Sequence, residues 1–282
     1  MDLINWTKNH FASVGLEESR LAAEVLLAHV LKCQRIDLYT RFDSQPSAQQ
    51  RDEFRSLVRR AADFEPVAYL VGFKEFYSLK FKVTHDVLIP RCETEMLVRE
   101  AIDYLTDLGS PGVMWDVCTG SGCVAVATAS QAAGLKVLAT DISPQAVAIA
   151  AENAAAHDVA KRVRCRVADL LALPADCGDL APFDVITANP PYVADGDQVA
   201  PTVKHEPKLA LNAGVDGLDF IRPIVRGAGG FLKGGGALIM EFGYAHADAV
   251  RNMVAGCGEF REPRVLRDFQ GVERAMVALK RN

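Results

Sequence analysis

The stretch that decides the fold runs from residue 113 to residue 122 and reads Val113-Met114-Trp115-Asp116-Val117-Cys118-Thr119-Gly120-Ser121-Gly122. Its first six residues are mostly apolar, as in a buried strand, and small residues follow. Small residues let the backbone turn sharply and approach a ligand, and the N-terminus of a following helix offers free N–H groups to an anion. The stretch therefore predicts a ligand site at the carboxyl end of a strand in an α/β sheet.

Strands and helices alternate along the chain beyond residue 88. The pattern predicts strands at residues 113–118, 135–140, 162–167, 183–188 and 237–242, helices at 93–105, 123–133, 144–157, 219–232 and 246–257, and a closing pair of strands around 264 and at 275–279. Such alternation forces a mostly parallel sheet with helices on both faces. Residues 233–236, Lys-Gly-Gly-Gly, are interpreted as a turn.

The N-terminal part of the chain has helical periodicity instead. Helices are predicted at residues 17–31 and 49–62, separated by a loop at 40–47, and partial alternation near residue 73 predicts a hairpin that turns at Ser78. Arg51, Arg55 and Arg59 follow one another at four-residue steps on the second helix, which favours a solvated face; an acidic or RNA-rich partner is the alternative. We expect a helical domain at 1–72, a β-hairpin linker at 73–87 and an α/β domain at 88–282.

Composition excludes several classes of protein. A net charge of -5 gives no long-range field that would gather nucleic acid, and no apolar run approaches the ~20 residues that a membrane span needs. The seven cysteines are odd in number and never spaced Cys-x-x-Cys, which is typical of reduced thiols with neither zinc nor disulfides. We expect a cytoplasmic protein with no membrane contact and no metal.

The second predicted strand ends at Asp141. Its carboxylate can accept hydrogen bonds from both hydroxyls of a ribose, so that Gly120, Gly122 and Asp141 together predict a nucleoside site. Ala125 fits the third small position of a dinucleotide-binding loop, and nicotinamide binding therefore remains an alternative on this loop alone.

The fourth predicted strand runs into Asn189-Pro190-Pro191-Tyr192. The prolines hold the backbone rigid, so the side-chain oxygen of Asn189 and the carbonyl of Pro190 can aim at one point. Two converging acceptors suit a planar NH2 group, while the Tyr192 ring can cover its flat face. Accepting both N–H bonds orients the nitrogen lone pair and offsets the positive charge that develops during attack. The motif predicts transfer of a sulfonium methyl group to an amino or amide nitrogen.

Asn189-Pro190-Pro191-Tyr192 also resembles the signature of amino-group methyltransferases that use S-adenosylmethionine and act on adenine N6, cytosine N4 or glutamine N5. Over its whole length the chain resembles the peptide chain release factor glutamine N5-methyltransferases. The matching segments lie at residues 65–72, 75–77, 87–95, 141–143, 205–207, 210–211, 216–218 and 268–274. The Ile-Pro-Arg sequence within 87–95 and the Asn-Pro-Pro-Tyr motif are the most specific of them.

The resemblance implies a Rossmann-like class I methyltransferase domain with a mostly parallel seven-stranded sheet, preceded by a helical domain that recognises the substrate. The implied partner is a class I release factor, methylated on the glutamine of its Gly-Gly-Gln loop, with no need for direct nucleic-acid binding. The implied cofactor is S-adenosylmethionine, in contact with Cys118, Thr119, Gly120, Ser121, Gly122, Asp141, Asp169, Leu170 and Asn189. The substrate would be held by Asn189, Pro190, Pro191 and Tyr192 and bordered by Arg91, Glu93 and Thr94. Asn189, Pro190 and Tyr192 would be the catalytic residues.

Five positions depart from that family. Cys92 stands where Pro is usual, Val117-Cys118 where Leu-Gly is usual, Ser78 where Gly is frequent and His246 where Gln is common. A side chain at residue 118 narrows the space in which the backbone can approach the cofactor, so we expect weaker or adjusted cofactor contact with catalysis retained.

Other features leave alternatives open. Asp116 is expected to order the glycine loop, and the long connection at 193–214 is expected to be a lid fixed at Glu206 and Pro207. The same chemistry on adenine or cytosine, a nicotinamide oxidoreductase and a binding protein without turnover remain alternative functions.

Overall fold

The computed structural model describes residues 2–40 and 45–282. Residues 41–44, in the middle of the predicted loop at 40–47, lie outside the described residues. The chain divides into two compact units, one formed by Met1–Phe73 with Val199–His205 and the other by Lys74–Gln198 with Glu206–Asn282.

The first unit is helical. Its helices are α1 (Asp2–Ser13), α2 (Ser19–Leu31), α3 (Asp37–Thr40), α4 (Ala48–Ala62) and α5 (Val67–Val71). Phe11, Leu26 and Ala61 have no exposed surface, so α1, α2 and α4 share one core. The predicted helices at 17–31 and 49–62 are confirmed, and the arginine side chains of α4 are exposed.

A hairpin follows, with strands β1 (Phe73–Phe76) and β2 (Leu79–Lys82). Tyr77 and Ser78 form its two-residue turn with φ angles of 49° and 61°. Positive φ at both central residues is what a tight hairpin turn requires, and glycine adopts it most readily. The predicted hairpin is confirmed, and Ser78 lies in its turn as predicted.

Seven strands of the described chain form one sheet. They are β3 (Val113–Val117), β4 (Lys136–Asp141), β5 (Val163–Val167), β6 (Phe183–Ala188), β7 (Leu232–Glu241), β8 (Arg264–Arg267) and β9 (Glu273–Leu279), in the order β5-β4-β3-β6-β7-β9-β8. Neighbours from β5 to β7 pair in parallel, whereas β9 is antiparallel to both β7 and β8. The predicted mostly parallel seven-stranded sheet is confirmed. The strand order reverses between β3 and β6, which is where α/β sheets bind ligands.

Helices cover both faces of this sheet, as predicted. They are α6 (Glu95–Leu108), α7 (Cys123–Gln131), α8 (Pro144–Ala156), α9 (Ile221–Gly227) and α10 (Ala247–Cys257). Consecutive residues of β3 point to opposite faces, so Met114 packs in the core with α6 and α7, and Trp115 in the core with α9 and α10. Within residues 2–40 and 45–282, no helix combines the length and the apolar character needed to cross a membrane.

The interpretation of residues 233–236 as a turn is wrong. These residues belong to β7, which begins at Leu232, and the predicted helix at 219–232 ends at Gly227. The pairing of β6 with β7 shifts register between Phe183 and Val185, and Gly235 has a φ of 77°. Glycine tolerates the irregular backbone of such a bulge, and for this reason a strand can carry a sequence that looks like a turn.

Candidate active site

A cavity of about 230 Å³ opens at the carboxyl ends of β3, β4, β5 and β6. Most of the site residues expected from sequence line it: Arg91, Thr94, Cys118, Thr119, Gly120, Ser121, Asp141, Asp169, Leu170, Asn189 and Pro191. Residues separated by about 100 positions in the chain thus meet at the edge where the strand order reverses, because parallel strands end at the same edge of a sheet.

Asp116 anchors the turn that follows β3. Its carboxylate accepts a hydrogen bond from the Thr119 hydroxyl at 2.5 Å and from the Thr187 hydroxyl at 2.6 Å. The group is buried, and burial raises its pKa to about 6, against the effect of these two bonds. The expected role of Asp116 in ordering the glycine loop is confirmed.

Gly120 and Gly122 serve different ends of the loop. Gly122 has a φ of 78°, and a Cβ there would lie 2.9 Å from the Cβ of Ala150, so helix α7 can start close to α8 only without a side chain at this position. Gly120 has a φ of 54°, and a Cβ there would meet nothing within 4 Å. The backbone at Gly120 is therefore open to the cavity.

Asp141, at the end of β4, holds the loop from the other side. One carboxylate oxygen accepts the N–H of Gly120 at 2.9 Å, and the other accepts the N–H of Ser143 at 3.0 Å. Burial raises the pKa of this carboxyl, and the backbone N–H bonds oppose the rise. Each oxygen has a second lone-pair site, so the carboxylate can still accept hydrogen bonds from a ligand in the cavity.

Cys118 lies in the wall of the cavity with a φ of 57°. The left-handed conformation costs a residue with a side chain about 1 kcal/mol and costs glycine little. Burial, reinforced by Asp141 and Asp116, raises the pKa of the thiol well above its usual value, so the group is neutral. The backbone at Cys118 is therefore in an unfavourable conformation, and an uncharged sulfur lies beside the loop.

Asn189 presents its side-chain oxygen without a partner. Its Nδ2 donates to the Thr94 hydroxyl at 3.1 Å, whereas Oδ1 is buried and has no hydrogen-bond partner among the described residues. A buried acceptor left unpaired costs about 1–3 kcal/mol, and such atoms are rare in folded proteins. An unpaired oxygen on a residue that lines a cavity indicates a ligand that donates an N–H or O–H.

Glu241, at the end of β7, was not expected from sequence. It accepts hydrogen bonds from the Thr94 hydroxyl at 2.6 Å and from the Tyr192 hydroxyl at 3.2 Å, and it is 1% exposed. Burial raises its pKa to about 7 despite these two bonds, with Glu93 contributing to the rise and Arg274 opposing it. A glutamate at the end of an apolar strand was the available signal, since such residues are rarely buried without a partner.

A second buried carboxylate, Glu206, fixes one end of the connection after β6. It pairs with the Arg91 guanidinium at 2.5 Å and accepts the N–H of Ile89 at 3.1 Å. Farther along this connection, Leu209 and Ala210 line the cavity. Glu206 is thus a fixed point of the segment, as expected, and closure of the segment as a lid stays a prediction.

Four expected site residues do not line the cavity. Gly122 caps α7, Pro190 is buried, and Tyr192 directs its hydroxyl to Glu241. Glu93 is half-buried and borders a separate, smaller cavity of about 140 Å³ beside Phe269. The roles of these four residues toward cofactor or substrate stay predictions.

The cavity also has lining residues that sequence reasoning did not single out. They include His85, Asp86, Val87, Leu88, Ile142, Ser143, Pro207 and Phe220. Residues 85–88 follow the hairpin in an irregular segment, where no periodicity indicates which side chains face a ligand.

Two family models match the chain. Residues 2–72 match the PrmC N-terminal domain, and residues 93–194 match the model described as ribosomal protein L11 methyltransferase (PrmA). The first match covers the helical region, and the second runs from the start of α6 to just beyond the Asn-Pro-Pro-Tyr motif.

Solved methyltransferases share the fold at low sequence identity. A methyltransferase from Pyrococcus furiosus superposes with a TM-score of 0.52 at 16% identity, covering 82% of this chain and 99% of its own. The hMettl16 catalytic domain superposes with a TM-score of 0.56 at 16% identity, covering 78% of this chain and 81% of its own. The second domain therefore has the Rossmann-like methyltransferase fold that the sequence predicted.

Curated relatives are similar along almost the whole chain. The release factor glutamine methyltransferase of Rhodopirellula baltica is 42% identical over 98% of this chain and 94% of its own length. Its counterpart from Geobacter sulfurreducens is 38% identical over 97% of this chain and 94% of its own. Similarity of this extent includes both the helical domain and the cavity, and this chain belongs to the release factor glutamine methyltransferase family.

Proposed function

We propose that this protein transfers a methyl group from S-adenosylmethionine to the side-chain amide nitrogen, N5, of the glutamine in the Gly-Gly-Gln loop of class I peptide chain release factors. Family membership supports the reaction and the substrate. The observation that carries the proposal is the buried Oδ1 of Asn189, a residue that lines the cavity, because this oxygen has no hydrogen-bond partner among the described residues. A primary amide offers the N–H that this oxygen lacks.

The residues of the cavity fit S-adenosylmethionine. Asp141 retains acceptor sites for ribose hydroxyls, the backbone at Gly120 is open to a ligand, and Asp169 and Leu170 supply the wall expected near the adenine. When bound, this cofactor supplies a methyl group on a sulfonium, an electrophile strong enough for an amide nitrogen.

The chain's own residues position the nucleophile. Asn189 Oδ1 and the Pro190 carbonyl accept the two N–H bonds of the glutamine amide, so the nitrogen lone pair is held in the direction of attack. The two acceptors also stabilise the positive charge that develops on nitrogen as it gains a carbon. The nitrogen then loses a proton to solvent, and positioning and electrostatics carry the reaction without a general base on Asn189.

The helical domain at residues 1–72 is proposed to recognise the release factor, with the hairpin at 73–87 as its linker to the catalytic domain at 88–282. Since release factors act on the ribosome, the reaction is proposed to occur in the cytoplasm without direct binding of nucleic acid. Pro191, Arg91, Glu93 and Thr94 would border the glutamine.

The test is transfer of label from methyl-labelled S-adenosylmethionine to a purified class I release factor, followed by peptide mapping. We expect label on the Gly-Gly-Gln peptide and none on a matched factor whose glutamine is replaced by glutamate, since a carboxylate has no N–H to present. No transfer, under conditions in which the Rhodopirellula baltica relative works, would contradict the proposal.

The same assay separates the alternatives. Incorporation into DNA or RNA at an equal rate would favour an adenine or cytosine methyltransferase. A nicotinamide oxidoreductase has no support in the fold, because β9 runs antiparallel in this sheet, whereas the dinucleotide fold is mostly parallel with the order 3-2-1-4-5-6. Cofactor binding without transfer to any factor would indicate a binding protein.

A further inference from the structure

Three side chains link Glu241 to the wall of the cavity. The Thr94 hydroxyl donates to one oxygen of Glu241, the Tyr192 hydroxyl donates to the other, and Asn189 Nδ2 donates to the Thr94 hydroxyl. Glu241 itself is buried and does not line the cavity. Whatever Glu241 does for a ligand in the cavity therefore acts through Thr94, Tyr192 and Asn189.

The direction of this chain of hydrogen bonds depends on the charge of Glu241. A carboxylate only accepts hydrogen bonds, so it takes the single hydroxyl proton of Thr94, and the Thr94 oxygen can then only accept from Asn189. The group of Asn189 that faces Thr94 must be its NH2. The carbonyl oxygen of the same amide consequently points away from the Thr94 hydroxyl, and in the structure this Oδ1 is buried with no hydrogen-bond partner among the described residues.

Thr94 also departs from its usual local role. It is the N-cap residue of α6, where threonine side chains commonly accept a backbone N–H of the first turn. Here the side chain makes no capping bond, and its hydroxyl instead donates to Glu241 and accepts from Asn189. The first turn of the helix forgoes a cap worth about 1 kcal/mol, which indicates that the link to Glu241 has a purpose other than helix stability.

We propose that Glu241 is a positioning residue for methyl transfer: as a carboxylate it orients the amide of Asn189 through Thr94, so that Oδ1 faces the substrate nitrogen, and it polarises that oxygen toward the charge developing there. This inference rests on the proposed function and adds a residue to it. Successive donors that all point toward one carboxylate polarise one another, which makes Oδ1 a stronger acceptor than an isolated amide oxygen.

The charge of Glu241, and with it the orientation of Asn189, depends on pH. The pKa of Glu241, raised to about 7 by burial, places loss of the carboxylate within the neutral range. The groups that face it among the described residues are Thr94 and Tyr192, by hydrogen bonds, and Glu93, Arg274 and the Cys123 thiol, by charge. When Glu241 is protonated, it can donate a hydrogen bond to the Thr94 hydroxyl instead of accepting one. The Thr94 proton is then free to point at Asn189, and the orientation of the Asn189 amide is no longer fixed. Turnover is therefore expected to rise with pH through about 7 as the carboxylate forms.

The experiment compares the full-length protein with E241Q in single-turnover methylation of a release factor. Glutamine keeps the shape of the side chain but can offer an NH2 to Thr94, whose proton then goes to Asn189 and favours the reversed amide. We expect the rate to fall at least about tenfold, the size of one hydrogen bond to a charged group, with cofactor affinity unchanged. The rise with pH should disappear in E241Q and persist in E241D.

Two controls separate this role from a structural one. E100Q makes the same chemical change in a glutamate on α6 that pairs with Arg264 at 2.5 Å, outside the cavity, and should leave rate and pH profile unchanged. T94V removes the hydroxyl that joins Glu241 to Asn189, so adding E241Q to T94V should cost much less than E241Q costs alone. Additive losses, or a wild-type rate and pH profile in E241Q, would overturn the proposal.

An NMR measurement on the free protein tests the role of Glu241 independently of methyl transfer. In the free protein, the side-chain ¹⁵N–¹H signals of Asn189, assigned by their loss in N189A, should shift with pH across the neutral range and should stay constant in E241Q. Signals that do not respond in the wild type would refute the role of Glu241 even if the protein methylates release factors. Responding signals with no methylation would leave Glu241 as the group that orients Asn189 and would contradict the proposed function alone.

Discussion

Replacing Asn189 by alanine separates catalysis from stability. The substitution removes the buried Oδ1 that has no partner among the described residues, and the Nδ2 that donates to Thr94 at 3.1 Å. The first atom is proposed to contact the substrate, and the second holds the first in place. The free protein and the transition state should therefore respond in different ways.

The stability change follows from two opposing contributions. Loss of the bond to Thr94 destabilises the fold by about 1 kcal/mol, and loss of an unpaired buried acceptor stabilises it by about 1–3 kcal/mol. We expect the free energy of unfolding to change by no more than about 1 kcal/mol after packing losses, in either direction. The barrier to methyl transfer should rise by about 2–4 kcal/mol, a loss of about 30- to 1000-fold in rate, as for other positioned polar groups.

The assay pairs single-turnover methylation of a release factor with calorimetric binding of S-adenosylmethionine and urea unfolding of the free protein. Asp141→Ala is the matched comparison, because Asp141 lines the same cavity and holds Gly120 and Ser143. We expect Asp141→Ala to weaken cofactor binding chiefly, and Asn189→Ala to leave it nearly unchanged. The reasoning is refuted if Asn189→Ala changes rate and cofactor affinity by the same factor, or if it retains the wild-type rate.

Three further changes test the loop and the buried carboxylate. Gly122→Ala should lower the free energy of unfolding, measured with urea, by roughly 2–4 kcal/mol, because its Cβ would lie 2.9 Å from Ala150 at a φ of 78°. Gly120→Ala should lower it by only about 1 kcal/mol, and should instead weaken cofactor binding measured by calorimetry. Cys118→Gly removes a side chain from a residue with a φ of 57° and from the cavity wall. The dissociation constant of the cofactor should therefore fall, while the free energy of unfolding stays within about 1 kcal/mol of wild type. Weaker cofactor binding would contradict this. The pKa of Glu241 is raised to about 7 in the folded protein, so wild type loses stability as pH rises from the unfolded pKa of this group to about 7. Glu241→Gln has no such group, and its free energy of unfolding relative to wild type should therefore increase by on the order of 3 kcal/mol between acid and alkaline pH. Urea unfolding measures this difference, and a difference that stays constant with pH would contradict the prediction.

Much of the fold could be predicted because periodicity reports burial directly. The alternation from residue 113 to residue 188 sets four parallel strands, and the structure has strands at each predicted place. Prediction failed at residues 233–236, where glycines that suit a turn instead absorb a bulge in β7. Whether a glycine cluster ends a strand or bends it depends on the neighbouring strand, which local sequence does not reveal.

The site could be predicted where a motif combines rigid backbone with specific chemistry. Asn189 follows a strand and precedes two prolines, and its cavity position agrees with that reading. Glu241 and Glu206 could not be assigned in this way, because their significance lies in Thr94 and Arg91, partners 147 and 115 residues away. Only the fold brings such pairs together, so the position of Glu241 at the end of an apolar strand can indicate burial but not the residues to which it bonds.

Asn189 Oδ1 and the Pro190 carbonyl oxygen are proposed to accept both N–H bonds of one glutamine amide. A crystal structure of the protein with S-adenosylhomocysteine and a Gly-Gly-Gln peptide tests this arrangement most directly. We predict that the glutamine nitrogen lies at hydrogen-bond distance, about 2.7–3.2 Å, from both Asn189 Oδ1 and the Pro190 carbonyl oxygen. A glutamine bound with its carbonyl oxygen toward Asn189, or an Asn189 amide turned to place Nδ2 in the cavity, would contradict the account.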